Sequence, residues 1–236
     1  MINTSVIIVG GGPAGAACAW RLKQANVDTI LLDQQKFPRV KPCAGWISPK
    51  ILSDLGFRPG DYPYGLTTFS QFRVSIRGFQ FTLPARQYAI RRLEFDDWLL
   101  QRAGVAVEQH TVTNIYPSEG GYDVDGKYFG KYLVGAGGTY CPVYRAIFHA
   151  LSPRSRESLI VAQEEEFAFD YTDTQCRLWF LEHGLPGYAW YVPKTNGYLN
   201  VGVGGNAQAL KKGDHLMRHW QMLVDLLERM GLVKGH

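Results

Sequence analysis

Residues Ser5-Val6-Ile7-Ile8-Val9-Gly10-Gly11-Gly12-Pro13-Ala14-Gly15 decide how the rest of the chain is read. A β-branched apolar run enters Gly10-x-Gly12-x-x-Gly15, and a helical pattern from Ala16 to Leu22 follows. Strand, tight glycine turn and helix in that order form the phosphate-binding start of a dinucleotide fold. Gly10 permits the turn, Gly12 lets a pyrophosphate approach the backbone, and Gly15 lets helix and strand pack closely. The helix start offers unpaired N–H groups and a partial positive charge to the phosphates.

A second apolar run, Thr29-Ile30-Leu31-Leu32, ends in Asp33, eighteen residues past Gly15. That is close to the spacing of about 20 expected for a carboxylate that holds an adenosine ribose. The fingerprint alone does not distinguish NAD from FAD. The chain has 236 residues, enough for one large or two small domains, and 46% hydrophobic with 19% charged residues is ordinary globular composition. A net charge of +4 without a dense basic run gives no sign of nucleic-acid binding. Cys18, Cys43, Cys141 and Cys176 make no CxxC pair, which argues against zinc and for free thiols in a reducing compartment. The first strand begins within a few residues of Met1, so no signal peptide is expected, and no apolar stretch reaches about 18 residues.

Further along, a short helix is expected at Pro49–Leu55, a hairpin over 68–83 turning at Arg77-Gly78, and an amphipathic helix over 92–104. Short strands follow at 105–107, 112–115, 121–124 and 128–134, with a tight turn at Asp125-Gly126. Strand pattern returns over 158–205, and a final helix spans about 207–230. His215 and His219 share a face of that helix and read as solvated; no metal site is expected. Gly202-x-Gly204-x-x-Ala207 imitates a second fingerprint but reads as strand.

Several segments together resemble the FAD-dependent geranylgeranyl reductase family, within the para-hydroxybenzoate hydroxylase class of flavoproteins. Phe37-Pro38-Arg39-Val40-Lys41-Pro42-Cys43-Ala44-Gly45 resembles the family's FPR-x-K-x-C-G-G segment, and Arg92-Leu93-Glu94-Phe95-Asp96 its R-x-x-F-D segment. Tyr188-Ala189-Trp190-Tyr191-Val192-Pro193 and Asn200-Val201-Gly202-Val203-Gly204 resemble its Y-x-W-x-F-P and N-V-G-x-G segments. The resemblance implies an α/β fold with α+β elements: a Rossmann-like FAD-binding domain (1–66 and 88–150) with an inserted, mainly antiparallel β-sheet substrate domain (67–87 and 151–206), then a C-terminal helix (207–236). It implies FAD contacts at Gly10, Gly12, Pro13, Ala14, Gly15, Asp33, Gln34, Lys41, Cys43, Ala44, Gly45, Arg92 and Val112. Cys43 would lie beside the flavin as the candidate catalytic residue, and Tyr188, Trp190, Tyr191 and Pro193 would line an apolar substrate cavity.

The implied reaction is reduction of isoprenoid C=C bonds, with NAD(P)H or another reductant as electron donor. A monooxygenase or halogenase of the same fold is the alternative enzyme, and a non-catalytic fragment the third reading. Two departures stand out. The family's Gly-Ala-Asp-Gly reads Gly135-Ala136-Gly137-Gly138, and nothing after Gly205 matches its later Gly-Asp FAD segment. The expected partners are therefore a lipid substrate, peripheral membrane contact from the cytoplasmic side, and an oligomer that completes the nucleotide-binding domain.

Overall fold

A computed structural model describes residues 1–155, 157–210 and 215–235. The chain forms two compact units, 1–41 with 93–154 and 42–92 with 155–236.

The first unit is built on a six-stranded sheet. Its strands are β1 (Ile2–Val9), β2 (Thr29–Asp33), β6 (Ala106–Gln109), β7 (Ile115–Ser118), β8 (Gly121–Val124) and β9 (Tyr128–Gly135), in the order β6-β2-β1-β9-β8-β7. Pairings from β6 through β9 are parallel, and β7-β8-β9 is an antiparallel meander. The apolar runs at 6–9 and 29–32 are buried, as parallel strands require. Ile7, Val9, Ile30 and Leu32 pack with Val112, Val124 and Tyr128. Helix α1 (Pro13–Gln24) opens with Pro13 at its start and carries Arg21 and Lys23 in its last turn, both suited to a helix end of that polarity. Helix α3 (Arg92–Ala103) buries Phe95, Leu99, Leu100 and Ala103.

The second unit carries a seven-stranded sheet of β3 (Trp46–Ile47), β4 (Thr67–Ile76), β5 (Phe79–Ala89), β10 (Ile160–Ala168), β11 (Cys176–Phe180), β12 (Gly187–Lys194) and β13 (Tyr198–Asn206). The order is β10-β13-β12-β11-β4-β5-β3, antiparallel except for β4 with β11. At the β4–β5 turn Arg77 and Gly78 both have positive φ, 49° and 88°, the geometry a two-residue hairpin turn needs. Helix α2 (Pro49–Asp54) packs on β5. Because β3 pairs with β5 and α2 lies on it, residues 42–66 and 88–92 fold with this sheet rather than with the parallel one.

The expected helix over 207–230 is interrupted. The structure has α4 (Ala207–Leu210) and α5 (Leu216–Arg229), and the intervening part of that expectation lies outside the described residues. His215 has extended backbone ahead of α5, and His219 is buried, so the two do not form a solvated helical pair. Trp220, Leu223, Val224 and Leu227 of α5 instead pack on the sheet, against Tyr191, Leu199, Val201 and Val203. The strand expected at 112–115 begins only at Ile115, because residues 110–114 wrap around one carboxylate.

That carboxylate is Asp125. It accepts hydrogen bonds from His110 Nε2 (2.8 Å), Thr113 Oγ1 (2.5 Å), Thr113 N (3.2 Å) and Asn114 N (2.7 Å). Partial burial pushes the Asp125 pKa up, but these hydrogen bonds outweigh it and bring the group to about 2. A folded pKa below the ordinary 3.8 means the stabilisation is complete above about pH 4 and is lost as pH falls toward 2. Asp125→Asn is expected to lower stability by about 2 kcal/mol at pH 7 and to flatten the acid limb of stability against pH, as read by urea denaturation.

Candidate functional site

The turn from β1 into α1 is a cradle defined by what does not fit in it. Gly10 has φ +115°, and a Cβ there would sit 2.5 Å from the Ala136 backbone. A Cβ on Gly15 would lie 1.8 Å from the Gly10 carbonyl oxygen. Both glycines are therefore demanded by the fold itself. Gly12 differs: φ is −67° and an added Cβ would meet only Arg39 Nη2, at an ordinary 3.5 Å. The protein leaves that space open, as close approach of a ligand requires.

Gly12 is the N-cap of α1 and supplies no side chain, so no capping side chain covers the first-turn amides. Asp33, at the end of β2, accepts from Gly11 N at 2.6 Å and from Gln35 N at 2.8 Å. It thus fixes the glycine turn and keeps lone pairs at the end of the strand for a ribose hydroxyl. Arg39 completes the cradle, and sequence reasoning missed it as a site residue. Its guanidinium lies over the Phe37 ring (4.7 Å) and 3.5 Å from the fully buried Asp96 of α3. Its Nη1 is buried and has no hydrogen-bond partner among the described residues. An unpartnered guanidinium donor beside an uncapped helix start fits a phosphate. The signal lay in two quoted segments, since Arg39 belongs to the first and Asp96 to the second.

Beside the turn, a cavity of about 520 Å³ is lined by Ala14, Gly135, Ala136, Thr139, Tyr144 and Arg154. Gly137, where the resembled family has an acid, is sterically constrained: a Cβ there would come within 3.0 Å of Cys141 Cα. Of the other expected contacts in this unit, Gln34 and Lys41 are exposed, and the Val112 side chain is in the core, leaving only its backbone for a ligand.

In the second unit, Cys43, Ala44 and Gly45 lead into β3, and Gly45 N–H donates to Cys43 Sγ at 3.4 Å. Gly45 has φ +74°, and a Cβ there would meet the Ile90 carbonyl at 2.0 Å and Lys194 Nζ at 2.9 Å. Arg92 opens α3. Burial pushes the Cys176 thiol up to about 12, which leaves it an inert core residue.

Cross-strand register divides the expected substrate residues between two faces. Tyr188 and Trp190 share one face with Phe180, Leu178 and Phe72. Ring centroids are 5.2 Å apart for Phe180–Tyr188 and 5.6 Å for Tyr188–Trp190. Tyr191 and Pro193, odd-numbered neighbours on β12, point to the opposite face. There Tyr191 is fully buried beneath α5 and donates to the Asp173 carbonyl at 3.1 Å. The row Glu164–Gly202–Trp190–Leu178–Val74–Phe81 crosses six strands on the Tyr188 face, about 24 Å. Its Phe81 end is apolar and open, with Phe81 and Leu83 about half exposed.

The other end of that face is polar. Lys194 is fully buried and its Nζ donates to Glu166 Oε2 at 2.5 Å. Arg91 Nε donates to Glu166 Oε1 at 2.9 Å, and its guanidinium lies over Tyr198. Trp190 Nε1 donates to Asn200 Oδ1 at 2.7 Å, and Asn200 Nδ2 reaches Glu164 Oε1 at 3.4 Å. Glu164 also accepts from the Cys43 backbone N–H. Burial pulls the Lys194 ammonium below its ordinary pKa, against the neighbouring Glu166 charge. Burial pushes the Glu164 carboxyl above its usual range, against the Asn200 and Cys43 hydrogen bonds.

Strand, glycine cradle and helix on a sheet with a parallel core define a Rossmann-like fold, and the chain carries a second, mainly antiparallel β-sheet. Residues 8–76 match the NAD(P)-binding Rossmann-like domain family. The chain is similar to several curated reductases. It is 28% identical over 225 residues to digeranylgeranylglycerophospholipid reductase 2 of Methanopyrus kandleri, covering 89% of this chain and 57% of that one. It is 26% identical over 253 residues to menaquinone reductase of Mycobacterium tuberculosis, covering 92% of this chain and 58% of the relative. A geranylgeranyl bacteriochlorophyll reductase-like structure from Thermoplasma acidophilum superposes with a TM-score of 0.81 at 19% identity, over 100% of this chain and 64% of that one. A flavin-dependent brominase shares the fold at a TM-score of 0.73 and 19% identity, over 97% and 64%. The chain thus spans about three fifths of the length of these relatives. Among the described residues no helix is long and apolar enough to cross a membrane, and no group of three or more His, Cys, Asp or Glu is arranged to hold a metal.

The two kinds of glycine separate experimentally. Gly15→Ala is expected to lower the thermal midpoint sharply, because its Cβ collides with backbone. Gly12→Ala is expected to melt within a few degrees of the parent yet lose most of its affinity for an adenine dinucleotide, read by fluorescence titration.

Proposed function

We propose that the chain is the cofactor- and substrate-binding part of an FAD-dependent oxidoreductase that reduces C=C bonds of an isoprenoid lipid. The observation that carries this reading is the β-sheet face bearing Phe180, Tyr188 and Trp190, an aromatic platform that continues to the open apolar edge at Phe81 and Leu83. The Phe180–Phe81 part of this face suits a long hydrocarbon, while its polar groups gather at the β10 end. The relatives named as reductases of prenylated lipids and menaquinone support the same substrate class.

The residues present fit FAD. Gly12 leaves the space for a pyrophosphate, the Arg39 guanidinium and the first turn of α1 supply donors, and Asp33 accepts from a ribose hydroxyl. When bound, the flavin supplies hydride for the reduction, and NAD(P)H or another reductant recharges it. The chain's own residues bind and orient: Tyr188 holds the alkene-bearing chain against the sheet, Trp190 packs beside it with ring centroids 5.6 Å apart, and Asn200 fixes the indole through its N–H. A cytoplasmic protein that meets its lipid at a membrane surface fits the free thiols and the apolar edge.

The test is anaerobic incubation of the FAD-loaded protein with a chemical reductant and a digeranylgeranylglycerophospholipid, followed by mass spectrometry. Stepwise gain of two hydrogens per double bond is expected. Oxygen consumption or halogenation with an aromatic substrate instead would support the monooxygenase–halogenase reading, which rests on fold likeness to the brominase. A protein that stays colourless after soaking with FAD would support the non-catalytic fragment. Tyr188→Ala is expected to raise KM for the lipid about tenfold or more, the cost of one lost aromatic contact.

A further inference from the structure

We propose that Glu164 is the general acid of this site, delivering the proton that completes reduction of the alkene. This rests on the reductase reading above, which requires a proton as well as a hydride but assigns no donor.

Glu164 and Glu166 lie two residues apart on β10, so both carboxyls project to the face that bears Tyr188 and Trp190. Their surroundings differ. Glu166 takes both nearby cations, Lys194 at 2.5 Å and Arg91 at 2.9 Å. Among the described residues Glu164 receives neutral donors, the Asn200 amide and the Cys43 backbone N–H. Two carboxyl groups whose environments push their proton affinities apart divide naturally into a charged partner and a proton carrier. Burial favours the protonated form of Glu164 and Glu166 repels its charge, while Lys194 acts in the other direction. Partial exposure lets water restore the proton after each turnover.

Position supports the role as well as charge. Glu164 pairs directly with Gly202, and Gly202 pairs with Trp190. A Cβ on Gly202 would lie 2.2 Å from the Trp190 ring and 2.8 Å from Glu164 Cβ, so the missing side chain lets the indole lie against the acid. The carboxyl thus stands at the edge of the aromatic platform, held by Asn200, which also fixes the indole. Reduced FAD, when bound, would supply the hydride that one alkene carbon takes up. The Glu164 O–H bond breaks as its proton forms a C–H bond at the other carbon, and the carboxylate left behind is reprotonated from water. The thiol of Cys43 is not needed in this balance.

Two measurements test the assignment. Carbon-13 NMR of glutamate-labelled protein without cofactor, assigned with Glu164→Gln, is expected to show the Glu164 carboxyl titrating above the ordinary value of about 4.3. In Glu166→Gln its midpoint is expected to fall, because Lys194 is released to it and a like charge is removed. A wild-type midpoint at or below the ordinary value would overturn the proposal whatever the activity. With FAD, reductant and the geranylgeranyl lipid, Glu164→Gln is expected to slow alkene reduction about 100-fold or more and to abolish the alkaline limb of kcat against pH. Glu164→Asp should recover part of the rate. Glu164→Gln turning over within threefold of the parent with an unchanged pH profile would sink the acid role alone. A wild-type protein that binds FAD yet leaves the alkene intact would sink the reductase reading and this one with it.

Discussion

The approach of Gly15 to the Gly10 carbonyl is the contact on which the first unit depends. It brings the start of α1 against the end of β1 at a distance that no side chain tolerates. Gly10 in turn lies against Ala136, at the end of the neighbouring strand β9. Three segments therefore converge on one point of backbone, and the first-turn amides of α1 face outward from it. The uncapped helix start and the empty space at Gly12 follow from that convergence. Asp33 stiffens the turn from one side, and the Asp96–Arg39 pair brings a guanidinium to it from another.

Much of this could be read in the sequence because backbone demands leave a direct mark. Positive φ and close approach select glycine, so the cradle and the hairpin turn at Arg77-Gly78 were legible locally. Features built by pairing between distant residues were not. On β12, Tyr188 and Trp190 alternate with Ala189, Tyr191 and Pro193, and both sets are apolar or aromatic. Nothing in that pattern says which set faces α5; only the packing of Trp220 and Leu223 decides it. Glu164-Glu165-Glu166 carries no local mark of Lys194, Arg91 and Asn200, which reach it from other segments. His219 looks like a solvated partner of His215 until α5 begins after His215 and turns its apolar side to the sheet.

The polar end of the sheet face is a local exception to the core around it. A fully buried ammonium is costly unless a carboxylate accompanies it, and Glu166 fills that role for Lys194. Gly45 belongs to the same arrangement, since a side chain there would intrude on both the Ile90 carbonyl and Lys194 Nζ. The Cys43–Gly45 loop is thus tied to a carboxyl on β10 through the Cys43 backbone, and Gly45 is needed both for its positive φ and for the space beside Lys194.

The alternation along β12 has one more consequence. Ala189 and Tyr191 are committed to the packing under α5, while Trp190 is buried in a second cluster on the opposite face and the half-buried Tyr188 packs against it. Adjacent positions on one strand thus serve two different clusters, one beneath α5 and one on the opposite face. A one-residue slip in that strand would exchange the two roles at every position at once.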